Sequence, residues 1–345
     1  MSYTVKSSEQ TRKSGSDCET KALLYLMNFR EDSDEIHYFV VDFFNDLTGM
    51  DRFADNLWDV QSKAAKSNSP AVIGRELVTL YKNYLSDFEF KHYILFLGGV
   101  STTVRIDEKL NTFDINNIPA KSIVKLIDGL KDEAIKKEYI DNTYVTDENI
   151  KDFLSKVLFV IDDKNPSEYV KAIIKNHSNI ITDEQILDAI FNEIRNVQST
   201  KKNTSVEGIV IQAPNEAINY CRHLTNNEIR LLALQRIITR NPVEKNNIPL
   251  SFLPICECWV PEKKKDMLDD CVQSLCKALF NKTAAYEFWE LFANIYNIII
   301  KYPTYTVEEI YQSIDKNIRN ASPDFDINSL KYFIAHVKDG VINGN

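Results

Sequence analysis

Ile36-His-Tyr-Phe-Val-Val-Asp-Phe-Phe-Asn-Asp46 and, across a loop containing Gly49, Leu57-Trp-Asp-Val-Gln-Ser-Lys63 are the segments that decide the fold. Both are rich in aromatic and β-branched side chains, the composition of strands. Residues two apart on a strand face the same way. Asp42 and Asp46 therefore share a face if the first strand runs through Asn45. Asp59, Gln61 and Lys63 share a face of the second, with Trp58 and Val60 turned into the core. Alternating Asp, Gln and Lys also describe the solvated side of a half-exposed strand. Against that, the first segment is apolar on both faces (Phe39, Val40, Val41, Phe43, Phe44), and an acid buried there wants a partner. Acids beside a Gln-x-Lys triplet form an oxygen-rich cluster next to a cation, a donor set that suits Mg2+ or Mn2+.

Working outward, Asp17 to Asn28 reads as a short helix capped by Asp17, with apolar residues at 22, 23, 24, 26 and 27. Ser69-Pro70 starts another helix through Val72, Leu77, Leu80, Tyr81 and Leu85, and His92 to Leu97 is a strand ended by Gly98-Gly99. The order is helix, strand, strand, helix, strand. The chain has 41 Lys plus Arg against 50 Asp plus Glu, a net charge of -9, which excludes a general nucleic-acid coat. Locally the balance reverses: Val60 to Leu85 carries Lys63, Lys66, Arg75 and Lys82 against Glu76 alone, a local +3.

Beyond residue 118 the pattern turns helical. Caps stand at Thr146-Asp-Glu-Asn149, Asn165-Pro166, Thr182-Asp-Glu-Gln185, Thr225-Asn-Asn-Glu228 and Thr306-Val-Glu-Glu309. Val157 to Ile161 and Gly208 to Gln212 read as short strands, and Gln198 to Ser205 as a polar linker. A length of 345 residues exceeds the roughly 250 to 300 of a single core. The expected division is a solvated tail at 1–16, an α/β core at 17–118 and a mainly helical region at 119–345. No apolar run reaches the roughly 18 residues of a bilayer span, and the polar N-terminus does not read as a signal peptide, so a cytoplasmic protein is expected. The cysteines at 18, 221, 256, 258, 271 and 276 read as thiols, and the last four lack the knuckle spacing of a zinc site. His37 and His92 are expected to pack beside the core. His177, His223 and His336 are expected near helix ends, where a cation is favourable.

Asp17-Cys-Glu19 on a helix, Val41-Asp42-Phe-Phe-Asn-Asp46 on a strand, Val60-Gln61-Ser-Lys63, a helix and an apolar strand together resemble the PD-(D/E)xK nuclease core in its Gln-x-Lys variant. More narrowly, they are similar to the nuclease domain of bacterial anti-phage endonucleases of the cyclic-oligonucleotide-activated and Lamassu types. Ile150 to Ile161 followed by Tyr169 to Ile174 looks like the helix, strand and helix that follow this domain, so the resemblance spans residues 17 to 240. It implies a restriction-endonuclease-like α/β core, a mixed sheet flanked by helices, followed by a mostly α-helical domain. Asp46 would be the central metal ligand, Gln61 a ligand through its side-chain oxygen, and Lys63 the catalytic lysine. Glu19 would be an outer acidic ligand, Asp42 stands where the family often has Glu, and Lys66 and Arg75 would contact DNA. The chain departs from the pattern in having only Gly15 ahead of the first helix, and Asp51 and Asp55 as rival acids. The implied activity is Mg2+- or Mn2+-dependent cleavage of double-stranded DNA by a homo-oligomeric defence effector. The Lamassu-type resemblance implies an SMC-like ATPase partner; the chain shows no phosphate-loop motif, so energy from ATP would come from another chain. The alternative is a catalytically inactive subunit that keeps the fold as an assembly module.

Overall fold

The computed structural model describes residues 2–6, 13–175, 184–203, 205–244 and 247–343. The chain forms two units, Met1–Tyr169 with Asn192–Asn226, and Val170–Phe191 with Asn227–Asn345. The first begins with strand β1 (Tyr3–Thr4) and helix α1 (Lys13–Asn28). Three strands follow, β2 (Tyr38–Val41), β3 (Leu47–Met50) and β4 (Leu57–Lys63), then a helix pair, α2 (Pro70–Glu76) and α3 (Val78–Tyr84). The chain continues through β5 (His92–Leu97), β6 (Thr112–Phe113), α4 (Ala120–Ala134), α5 (Asp147–Ser155), β7 (Val157–Ile161), β8 (Val210–Ile211) and β9 (His223–Thr225).

Seven strands make a mixed sheet in the order β6-β7-β5-β4-β3-β2-β9. β4, β5 and β7 run parallel and the other pairs are antiparallel. Of the parallel strands, β5 and β7 have near-continuous apolar sequence and are buried along almost their whole length, whereas β4 alternates polar and apolar residues. The bounds of β4 and β5 match the sequence reading. The first strand does not: it stops at Val41, and the chain reverses through Phe43, Phe44 and Asn45 into β3. Asp42 takes the left-handed conformation, φ 51°, that Asp tolerates better than most residues. Its N–H donates to the Asp46 carbonyl at 3.1 Å and closes the hairpin. Asp42 and Asp46 therefore flank a turn instead of sharing a strand face. Gly49 lies in β3, not in a loop: it pairs with Phe39 and Trp58, and a Cβ there would stand 3.2 to 3.3 Å from Ile36, Leu26 and Trp58.

Two boundaries also move. Within the expected tail, Tyr3 and Val5 are buried, and Tyr3–Thr4 pairs with β8. Residues 13–16 already belong to α1, which puts Asp17 inside the helix, where it accepts from Arg195 at 2.7 Å. Residues 7–12 lie outside the described residues. The α/β unit does not end at 118 either: β7 and β9 complete its sheet, since an apolar strand such as Val-Leu-Phe-Val-Ile needs neighbours on both faces.

The second unit is helical, with helices at Pro261–Phe280, Ala285–Lys301, Val307–Ser313, Lys316–Ala321 and Ile327–Asn343. Phe288 and Phe292 pack on Phe333 at its centre. Thr306 and Glu309 form the expected capping box. Cys271 packs against Met267, its neighbour one helical turn back. Thr182, Asp183 and His177 lie outside the described residues. No described helix is long and apolar enough to cross a membrane.

Candidate metal centre

Three polar residues of β4 meet three polar residues of the helix pair in register. Asp59 accepts from Asn83 at 2.7 Å, Gln61 Oε1 accepts from Thr79 Oγ1 at 2.7 Å, and Lys63 Nζ lies 2.9 Å from Glu76. The match follows from geometry: two strand residues and three to four helical residues both advance about 5 to 7 Å. Asp59, Gln61 and Lys63 thus share one face, as their spacing requires, but it is a covered face; Asp59 is fully buried.

Asp46 reaches this row from β3. The pairing of Leu47 with Val60 places Asp46 one step on, opposite Gln61. Its Oδ2 accepts from Gln61 Nε2 at 2.8 Å, from the Ser62 N–H at 2.9 Å and from Ser62 Oγ at 3.0 Å. Burial raises the carboxyl's pKa against these donors and the charges of Lys202 and Lys63. The donor set fits a divalent ion. Oxygens at about 2.1 Å from Mg2+ on adjacent octahedral positions are about 3 Å apart, and turning the Gln61 amide over sets Oε1 at that spacing from Asp46. Thr79 serves either orientation, since its hydroxyl both donates and accepts.

A cleft of about 200 Å3 opens onto this group, lined by Asp46, Gln61, Lys63, Arg75, Glu76 and Tyr139 among others. Thr79 and Tyr139 lead on toward a hollow of about 510 Å3 flanked by Lys6 and Lys82. The local +3 is not displayed there. The cleft's cations Lys63, Arg75 and Lys137 face the acids Asp46, Glu76 and Glu133, and Lys82 turns inward to donate to Tyr3. Arg75 stands exposed at the cleft, while Lys66 is exposed outside its lining.

Glu19 and Asp42 are already engaged elsewhere. Lys202 Nζ lies 2.6 Å from Glu19 Oε2. Burial nevertheless pushes the Glu19 pKa up to about 7, with Lys202 opposing and Asp46 and Asp42 adding to the rise. Asp42 is raised by burial too, with Lys202 and Arg222 opposing. Arg222 donates to the Asp42 carbonyl at 2.6 Å and its carboxylate at 3.2 Å. The expected four-ligand set is therefore divided: Asp46 and Gln61 converge, whereas Glu19 and Asp42 hold protein cations. Correspondingly, no cluster of three or more His, Cys, Asp or Glu side chains among the described residues is placed to bind a metal. Asp51 is occupied in its own loop, accepting from Phe53, Asp55 and Asn56.

Lys202 and Arg222 are the residues that sequence reasoning missed. They lie far along the chain, Lys202 in a segment that reads as linker and Arg222 beyond it, with no fixed spacing from Glu19 or Asp42. Thr79 and Asn83, polar residues one turn apart on a buried helix face, carried a signal that could have been used. Comparison with protein families, with curated proteins and with solved structures finds no match for this chain.

Proposed function

We propose that the chain is a divalent-metal-dependent DNA endonuclease of the PD-(D/E)xK type, in its Gln-x-Lys variant. The observation that carries this reading is the convergence of Asp46, Gln61 and Lys63 on one cleft. The order of helix, three-stranded meander, helix pair and parallel strand supports it.

Asp46 and Gln61 would hold Mg2+ or Mn2+. When bound, such an ion polarises a phosphodiester and lowers the pKa of a bound water. Lys63, steered by Glu76, sets its ammonium at the cleft, where it stabilises the charge that builds on the phosphorus oxygens. Arg75 engages the flanking backbone from the rim, adding to affinity without reading sequence. Resemblance to anti-phage endonucleases extends the proposal to a homo-oligomeric defence effector controlled by an SMC-like ATPase. The assembly-module alternative draws on the tie between Lys63 and Glu76 and on the balanced charge of the cleft. Plasmid cleavage in Mg2+ separates the two: the native chain should nick or linearise DNA, and Lys63→Ala should reduce the rate by at least 100-fold. Equal cleavage by both proteins, or none by either in the presence of its partners, rejects the nuclease.

A further inference from the structure

We propose that Lys202 occupies the place of a second cation, so that the centre takes one divalent ion rather than two. The inference rests on the nuclease reading, and concerns what neutralises the acids that Asp46 and Gln61 leave over. Two-ion centres need a second set of oxygens a few ångströms from the first; of the acids that feel the Asp46 charge, Glu19 and Asp42 are the two held by protein cations, Lys202 and Arg222. Lys202 already sits at Glu19, 2.6 Å away, with side chains only 17% and 9% exposed. Its charge acts on all three carboxylates, opposing the effect of burial at Glu19, Asp42 and Asp46 alike.

Lys202 is not placed there by the reach of a flexible surface side chain. Arg222, a buried guanidinium, donates to the Lys201 carbonyl at 3.1 Å and to the Lys202 carbonyl at 3.2 Å. The same group holds the Asp42 carbonyl and carboxylate. One arginine therefore fixes the backbone that carries Lys202 and neutralises the other spare acid. A second metal ion at Glu19 would have to displace an ammonium whose backbone is clamped, and Asp42 would have to give up its arginine. On the Gln61 side, the groups that donate to Asp46, Gln61 Nε2 and the Ser62 N–H and hydroxyl, are neutral, and Lys63 is paired with Glu76.

Mn2+ binding to the full-length, metal-stripped protein tests this, with bound ion counted by electron paramagnetic resonance of free Mn2+. The native chain and Lys202→Arg should each bind one ion. Lys202→Met should bind two, and Lys202→Met combined with Glu19→Gln should return to one. Two ions on the native chain, or a single ion of unchanged affinity on Lys202→Met, overturns the proposal. Should Lys202→Met fold poorly without metal, the rise of its melting temperature with Mn2+ serves instead: it should exceed the native rise, and equal rises overturn the proposal. A native chain that binds one ion, lost in Asp46→Asn, while Lys202→Met also binds one, rejects only the role of Lys202. A native chain that binds none rejects the nuclease reading itself, and this inference with it.

Discussion

The contact between Asp46 and Gln61 is where a single atom decides the chemistry. A carboxylate 2.8 Å from an amide N–H is a stable metal-free arrangement. Gln61→Glu replaces that donor with a second carboxylate in a sheltered position, where two like charges cannot both ionise without a cation. In EDTA the variant should lose about 1 to 3 kcal/mol of stability, and excess Mg2+ should recover that loss through linkage. Melting temperatures with and without Mg2+ measure it, and a Mg2+ response equal to that of the native chain would rule out Asp46 and Gln61 as a shared metal site. Gln61, Lys63 and their common face were legible because a strand alternates with period two. Asp42 was not, because a left-handed residue turns the chain where its composition still reads as strand. The partners of Glu19 and Asp42 were illegible for another reason: tertiary folding alone brings residues 202 and 222 to residues 19 and 42.

Among elements, the packing of α2 on α4 sets the position of the cleft's far wall. A Cβ on Gly74 would stand 2.1 Å from the Leu126 carbonyl oxygen, and one on Gly129 would stand 2.2 Å from that of Ala71. The two helices thus meet backbone to backbone at a glycine from each. In an open helix, Gly→Ala stabilises by about 0.5 to 1 kcal/mol. At Gly74 the sign should reverse, because the obstructing atoms are backbone and cannot swing away; overpacking of this kind costs about 1 to 3 kcal/mol or more. Urea denaturation of Gly74→Ala measures the change, and a neutral or stabilising result would show that the helices can separate freely. Glu76 lies two residues further on, so the displacement should also loosen its pair with Lys63. Continuous apolar sequence made β5 and β7 legible, and period-two alternation made β4 so. β3 was hidden by its four-residue length and its glycine, and β6 and β9 by two- and three-residue spans too short to show a period. The helix over 70–85 was legible as a whole, but not its division at Leu77.

At the scale of the whole molecule, the two units carry buried titratable groups of opposite sign. The expected boundary at 118 failed because the sheet collects strands from as far along as Thr225. From its sequence, His336 is expected as a cation near a helix end. It is instead fully buried within the helix Ile327–Asn343, edge-on to Tyr332 at 4.5 Å, with neither ring nitrogen hydrogen-bonded among the described residues. Burial, with the Arg240 charge adding to it, pushes its pKa down to about 3. An unfolded histidine takes up its proton near pH 6.5, so between about 6.5 and 3 the unfolded state holds more protons. The helical unit is thus most stable above that window and loses up to about 1.4 kcal/mol per pH unit as pH falls through it. The α/β unit responds the other way. Burial pushes Glu19 and Asp59 up to about 7, so their folded forms hold the extra proton between about 4 and 7, and mild acid relieves their cost. Calorimetry of the metal-free chain at pH 5 should therefore resolve two transitions lying closer together at pH 7.5, with the lower one belonging to the helical unit. His336→Leu, close in volume and apolar, should raise that lower transition at pH 5 and change it little at pH 7.5. An equal shift at both pH values would mean that packing, not protonation, governs the position.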